Sequence, residues 1–262
     1  MAERQLKAIV MGATSGIGRE VALQLASRGW LVGIAGRRTD RLVELENSTN
    51  GIIAHKTIDV NDASAPELLC EMINEMHGID MYFHSSGIGW QNNQLDPEKE
   101  LKTVETNALG FVRMVDAAFN WFVHAADAQT AYACHFRIAC ITSIAGTKGL
   151  GPAPAYSSTK RFQSHYLESL AQLARMRRLP IRITDIRPGF VATDLIAGSN
   201  YPLQLRADSV AKSIVKAIER GKSIVTVDWR YAMLVAIWRL IPRRLWLSFF
   251  SLRKHPDIPS VS

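Results

Sequence analysis

Cysteine is scarce in this chain: three in 262 residues, at Cys70, Cys134 and Cys140. Three thiols without metal-ligand spacing exclude a disulfide framework and a zinc site, and fit a reducing compartment with cysteine as a small apolar filler. No H-E-x-x-H or similar spacing occurs among the seven histidines, so metal dependence is not expected. Nor is there an apolar run of the roughly 20 residues that span a bilayer. The start, M-A-E-R-Q, runs straight into an apolar segment and leaves no room for a leader peptide. Internal repeats and low-complexity tracts are absent.

What is present suits one large α/β domain. Hydrophobic residues make up 47% and charged residues 21%, ordinary values for a globular protein. Apolar β-type runs alternate with helical patterns along the chain. Strands are predicted near residues 6–11, 31–35, 52–57, 79–84, 136–142, 181–186 and 223–227. Helices are predicted near 17–28, 39–47, 64–76, 98–124, 155–177 and 207–220, with a polar loop over Ala125–His135. Seven strands separated by helices argue for a doubly wound, seven-stranded parallel sheet. In such a sheet a ligand lies beyond the carboxyl ends of the strands, where Gly12, Gly36, Asp59, Gly87 and Ser143 all fall.

Two motifs carry chemistry. After the first strand, Gly12, Gly16 and Gly18 form a G-x-x-x-G-x-G turn into an amphipathic helix closed by Gly29. Such a turn brings backbone close to a pyrophosphate and aims the helix N-terminus at it, although the spacing differs from G-x-G-x-x-G. Farther on stand Ser143, Tyr156 and Lys160. A tyrosine and a lysine four apart project from one helix face, so the ammonium is expected to lower the phenol pKa from its ordinary 10. A phenol tuned this way exchanges a proton near neutral pH.

Taken together, and in this order, these motifs resemble the short-chain dehydrogenase/reductase family. The resemblance covers about residues 5–227: the turn Gly12-Ala13-Thr14-Ser15-Gly16-Ile17-Gly18, then Asp59-Val60, Asn107 in Thr106-Asn107-Ala108-Leu109-Gly110, then Ser143, Tyr156 and Lys160, and last Arg187-Pro188-Gly189-Phe190-Val191-Ala192-Thr193. One motif departs. Where the family usually has Asn-Asn-Ala-Gly, this chain has His84-Ser85-Ser86-Gly87, so the asparagine that braces the sheet centre is Ser85.

The resemblance implies a Rossmann-type oxidoreductase domain over residues 1–227 that moves a hydride between NADP(H) and a carbonyl or secondary alcohol. Thr14, Ser15, Ile17 and the turn glycines would hold the dinucleotide, with Ser86 and Gly87 beside it. Asp59 would contact adenine, with Val60 packed near it. Tyr156 would protonate the developing alkoxide and Ser143 would bond the substrate oxygen. Lys160 would tune Tyr156 and hold the nicotinamide ribose, and Asn107 would hold a water linking Lys160 to solvent. Pro188, Gly189, Val191 and Thr193 would shape the nicotinamide pocket. NAD-preferring members place an acid after the second strand; here stand Gly36, Arg37 and Arg38, and an arginine fork suits a 2′-phosphate. The family's long helices, here near 98–124 and 155–177, commonly pair across two-fold axes, which predicts a homodimer or homotetramer.

Past the last strand, a C-terminal extension (228–262) changes composition. Residues 229–254 hold six basic residues (Arg230, Arg239, Arg243, Arg244, Arg253, Lys254), no acidic one, and three of the six tryptophans. Those charges account for six of the net +7, so the rest of the chain carries no general basic surface for nucleic acid. Interleaved tryptophan, arginine and leucine predict peripheral membrane contact through 229–254, or an extension packed on the domain or an oligomer interface with its arginines outward. With apolar candidate walls at Trp90, Ile144, Leu150, Phe190, Leu195 and Tyr201, the substrate expected is a small lipophilic carbonyl compound; the tail is similar in character to those of 3-ketosphinganine reductases. An NADP-dependent alcohol or steroid dehydrogenase and a catalytically silent nucleotide-binding protein are the competing readings.

Overall fold

The computed structural model describes residues 4–128, 136–193 and 203–249. Nine strands and nine α-helices alternate through them: β1 (Lys7–Met11), α1 (Gly16–Ala26), β2 (Leu31–Gly36), α2 (Thr39–Ser48), β3 (Ile52–Thr57), α3 (Ala65–Glu75), β4 (Met81–His84), α4 (Pro97–Val104), α5 (Phe111–Ala128), β5 (Phe136–Ile141), α6 (Pro154–Met176), β6 (Ile181–Arg187), β7 (Val191–Ala192), β8 (Leu205–Arg206), α7 (Ala207–Glu219), β9 (Ile224–Thr226), α8 (Trp229–Leu240) and α9 (Arg243–Phe249). The seven long strands form one sheet in the order β3-β2-β1-β4-β5-β6-β9, and every neighbouring pair is parallel. This is the doubly wound, Rossmann-like sheet predicted from the alternation.

Alternate side chains of the strands feed two cores, as the period of two dictates. On one face Ala8, Val10, Met81, Phe83 and Ile186 pack under α1, α2 and α7. On the other, Ile9, Met11, Tyr82, Ile138 and Ile183 pack under α3, α5 and α6. Strand order reverses between β1 and β4, and that switch point is where α/β sheets open a crevice. The glycine turn follows β1 and Ser85-Ser86-Gly87 follows β4, so both flank the crevice.

Three elements differ from the sequence expectation. The single helix expected over 98–124 is interrupted by a π-helical turn, Glu105–Gly110, which contains Asn107. Continuous apolar periodicity hides such a turn, because one extra residue is absorbed without breaking the buried stripe. The helical ladder also continues through Ala128, so Ala125–Ala128 are helical and not loop. Val191–Ala192 pairs with Leu205–Arg206 in a small second sheet that no sequence pattern marked.

The described part of the C-terminal extension, 228–249, folds as α8 and α9. Tyr231, Val235 and Trp238 of α8 pack on Ile144, Phe190 and Leu205. The Trp238 indole donates to Thr147 Oγ1 at 2.8 Å, and the Trp246 indole to the Gly149 carbonyl at 2.7 Å. Lys148 Nζ donates to the Ile241 carbonyl at 2.8 Å and lies over the Trp246 ring. One face of the extension is therefore packed on the domain, as one of the two expectations had it. The other face leaves Trp229, Met233, Ile237, Leu240, Leu245 and Leu247 exposed. Cys134, Leu195, Tyr201, Arg253 and Lys254 lie outside the described residues.

Candidate active site

At the carboxyl edge of the sheet the three motif residues converge. Ser143 caps the 3-10 turn Ile144–Thr147 just beyond β5, its Oγ accepting from the Ala145 N–H at 3.1 Å. Tyr156 and Lys160 lie on the first turns of α6, where Pro154 supplies a preset helical φ. The Ser143 hydroxyl acts on the Tyr156 phenol, favouring its ionised form. Lys160 Nζ lies 5.8 Å from the Tyr156 ring centroid. Phenol, hydroxyl and cation thus share one corner of the crevice.

Electrostatics here differ from the expectation. Burial raises the Tyr156 pKa above its ordinary 10, and the nearby Ser143 hydroxyl only partly offsets this. The ammonium does not reverse it, because Lys160 Nζ is turned to the Ile141 carbonyl and Gln163 Oε1, both at 3.0 Å. Burial in turn lowers the Lys160 pKa to about 8, against the opposing influence of Cys140 and Asp185. At neutral pH, then, the phenol is protonated and the amine mostly charged.

Asn107 is fully buried in the π turn and pins the loop after β4. Its Oδ1 accepts from the Ile88 N–H at 2.9 Å, and its Nδ2 donates to the Ile88 carbonyl at 2.7 Å and to Thr159 Oγ1 at 3.2 Å. Its backbone carbonyl accepts from Gln163 Nε2 at 2.8 Å. The pinned loop lies flat on the Tyr156 ring: a Cβ at Gly89 would meet the ring at 2.3 Å. Gly89 is a site residue that the sequence reading passed over, as are Ile88 and Gln163. Gln163 was legible in principle, since it stands seven residues after Tyr156 on the same helical face.

The glycine turn is built for close backbone approach. Gly12 has φ +85°, and a Cβ on Gly18 would sit 2.2 Å from the Gly12 carbonyl oxygen. Ser15, the extended N-cap of α1, makes no side-chain cap bond, and the first turn has no acidic residue. Free N–H groups without a competing carboxylate suit a pyrophosphate. A cavity of about 400 Å³ opens there, bordered by Thr14, Ser15, Gly16, Arg19 and Thr193. Ile17 packs from α1 against the first core. The residues present fit a dinucleotide.

Around Gly36 the two arginines part. Arg38 donates to Thr14 Oγ1 (Nε at 3.0 Å, a terminal nitrogen at 2.7 Å) and to Ser15 Oγ at 2.7 Å. Arg37 turns the other way, 3.8 Å from Asp59, with its side chain 63% exposed. Asp59 and Val60 follow β3, Val60 being buried beside Gly110. Ser86 lies against the turn, its backbone N 2.7 Å from where a Gly12 Cβ would be. Gly87 approaches both Asn107 Oδ1 and Lys160 Nζ. Pro188 accepts from the Ile144 N–H at 3.1 Å, while Gly189 is pressed onto the Tyr231 ring. Val191 is buried, and Thr193 faces Gly16. Of the expected pocket walls, Ile144 is buried in the contact with α8, Leu150 and Phe190 are half-buried, and Trp90 is 40% exposed.

At the sheet centre, where Ser85 replaces the expected asparagine, His84 is buried and its Nδ1 lies 2.8 Å from the Tyr82 hydroxyl. Among the described residues no group of three or more His, Cys, Asp or Glu could hold a metal ion. No helix among them is long and apolar enough to cross a membrane.

Known proteins are similar to this chain in sequence and in fold. The chain is 31% identical over 255 residues to an uncharacterized oxidoreductase of Myxococcus xanthus, covering 94% of this chain and 97% of that one. It is 30% identical over 255 residues to one of Mycobacterium tuberculosis, covering 93% and 96%. The fold matches an alcohol dehydrogenase of Thermococcus sibiricus solved with 5-hydroxy-NADP (TM-score 0.72, 20% identity, 85% of this chain and 96% of that one). It also matches an actinorhodin polyketide ketoreductase solved with NADPH (TM-score 0.70, 22% identity, 85% and 95%). A family model described as short chain dehydrogenase matches residues 6–202, and the chain belongs to that family of oxidoreductases.

Proposed function

We propose that this protein is an NADP(H)-dependent reductase of a lipophilic ketone. The observation that carries the reading is the convergence of Ser143, the Tyr156 phenol and Lys160 at the same sheet edge as the glycine turn. Gly36 in place of an acid, with Arg38 turned to Thr14 and Ser15 and Arg37 turned toward Asp59, favours a 2′-phosphate. The NADP-type ligands of the two solved oxidoreductases support the same choice.

The glycine turn, Ser86 and Gly87 would hold a reduced dinucleotide, which would supply the hydride for the carbonyl carbon. Tyr156, protonated at neutral pH because burial raises its pKa, gives its proton to the carbonyl oxygen, so the ketone becomes an alcohol. Ser143 donates a hydrogen bond to that oxygen as charge develops. Lys160, still mostly charged, would stabilise the phenolate left behind and would hold the ribose hydroxyls of the cofactor. Asn107 keeps the loop through Ile88 and Gly89 against the Tyr156 ring, which fixes the phenol.

The lipophilic preference rests on the roof of the site. Ile144 and Phe190 meet Tyr231, Val235 and Trp238, an apolar group close to Ser143. Outside that roof, exposed Trp229, Met233, Ile237 and Leu240 lie with Arg239, Arg243 and Arg244. Such a surface suits peripheral contact with anionic headgroups and an amphiphilic substrate such as a 3-ketosphinganine-like lipid. The test follows NADPH oxidation with long-chain keto-lipids and keto-steroids, with and without anionic vesicles. Turnover of a keto-lipid, lost by roughly 10²–10⁴-fold in Tyr156→Phe, is the expected result. A Tyr156→Phe variant keeping more than about a tenth of the turnover, outside that range, removes the acid assignment. Full-length protein that ignores anionic vesicles at low salt removes the membrane contact.

A further inference from the structure

Lys160 has three N–H donors, and two are committed within the fold, to the Ile141 carbonyl and to Gln163 Oε1. The other end of the same Gln163 amide donates to the Asn107 carbonyl at 2.8 Å. Gln163 is 0% exposed. Its amide therefore joins the cation of the candidate site to the backbone of the π turn through one side chain. We propose that Gln163 is a positioning residue, tying Lys160 to Asn107 so that the ammonium keeps its place under the Tyr156 ring. The inference rests on the reductase reading above for its catalytic meaning.

The residue type matches the two partners. A primary amide has an acceptor for the ammonium and a donor for the carbonyl, with no charge of its own. Glutamate would satisfy Lys160 but face the Asn107 carbonyl with a second acceptor. Methionine would fill the same volume and leave both partners without a bond in a buried place, which is costly. The π turn matters here, because it is the wider turn that contains Asn107, whose carbonyl faces Gln163 across from α6. The titratable groups around Lys160 are Tyr156 on its own helix, His84 at the end of β4, Cys140 on β5 and Asp185 on β6. Gln163 carries no charge, but it is the side chain whose oxygen accepts directly from the ammonium, and so it bears on where the ammonium is aimed.

The experiment compares full-length wild type with Gln163→Met and Gln163→Glu. The Lys160 titration is read by NMR of ¹³C-labelled lysine, and the pH dependence of NADPH-linked turnover is read alongside. A hydrogen bond to a charged group is large enough to move a pKa by about one unit. Gln163→Met should shift the Lys160 midpoint down by about that much and Gln163→Glu should shift it up, with the alkaline limb of kcat moving in the same two directions. Unchanged midpoints and unchanged limbs in both variants overturn the proposal. If the methionine variant does not fold, the glutamate shift alone decides. Wild-type protein without NADPH-linked turnover would remove the reductase reading, while the NMR midpoints would still judge the role of Gln163.

Discussion

Replacing His84 by glutamine tests how far one imidazole limits the acid stability of this fold. His84 is fully buried, edge-on to Phe111 with ring centroids 5.3 Å apart, and its Nε2 has no hydrogen-bond partner. Burial first, and the charge of Lys160 second, lower its pKa from 6.5 to about 3. In the unfolded chain the ring titrates near 6.5, so below that pH the unfolded state binds the extra proton. A depressed histidine pKa therefore contributes nothing above pH 6.5 and subtracts stability as pH falls toward 3. The slope for one proton is about 1.4 kcal/mol per pH unit, so by pH 5 this group removes about 2 kcal/mol. Against a total of roughly 5–15 kcal/mol that is a large share. Urea unfolding at pH 7, 6 and 5 should show wild type losing about 2 kcal/mol more than His84→Gln over that range. Parallel losses in the two proteins would refute the reasoning, since His84 would then be protonated at no cost in the fold.

Other outcomes follow from the same geometry. Arg37→Ala and Arg38→Ala should weaken NADPH by roughly ten- to a hundred-fold each and leave NADH little changed in equilibrium fluorescence titrations; equal losses for both would make the arginines structural. Tyr231→Phe deletes a hydroxyl that accepts from the Phe190 N–H at 3.2 Å and donates to the Leu203 carbonyl at 2.9 Å. It should cost about 1–3 kcal/mol and lower Tm by roughly 3–10 °C in calorimetry, and an unchanged Tm would contradict the bracing of Phe190 by α8. Exposed Leu109, Phe162, Leu173 and Met176 on the π turn and α6 favour a two-fold dimer or tetramer. Light scattering should therefore find a species heavier than the 29.1 kDa monomer at micromolar protein, and a lone monomer would exclude it.

Seven strands were legible because β-branched and apolar runs recur between turn residues, and β1, β3 and β5 fall within a residue or two of their expected ends. The convergence of Tyr156 and Lys160 was legible for a related reason: they need only helical spacing to share a face. What escaped depends on contacts between distant segments. Gln163 shares a helical face with Tyr156, but it acquires its meaning from Asn107, 56 residues earlier, and local spacing does not show that pairing. The high Tyr156 pKa comes from burial and from where Lys160 spends its donors, and spacing encodes neither. The helices α8 and α9 were hard to place because they are apolar on several sides, so no single stripe distinguished the face that packs from the face left open.

The bracing of the site by α8 and α9 has a consequence for how the molecule is made. Thr147 and Gly149 lie four and six positions past Ser143, and their indole partners Trp238 and Trp246 come 91 and 97 residues later. On a ribosome, the strands that frame the crevice emerge well before the two helices that steady its roof. The nascent chain therefore passes through a stage in which Ser143, Tyr156 and Lys160 are already synthesised while the 144–149 loop still lacks its cover. Apolar Ile144 and Phe190 are open to water, and to other chains, during that interval. The loop beside Ser143 gains its two indole contacts only when the last helices fold back.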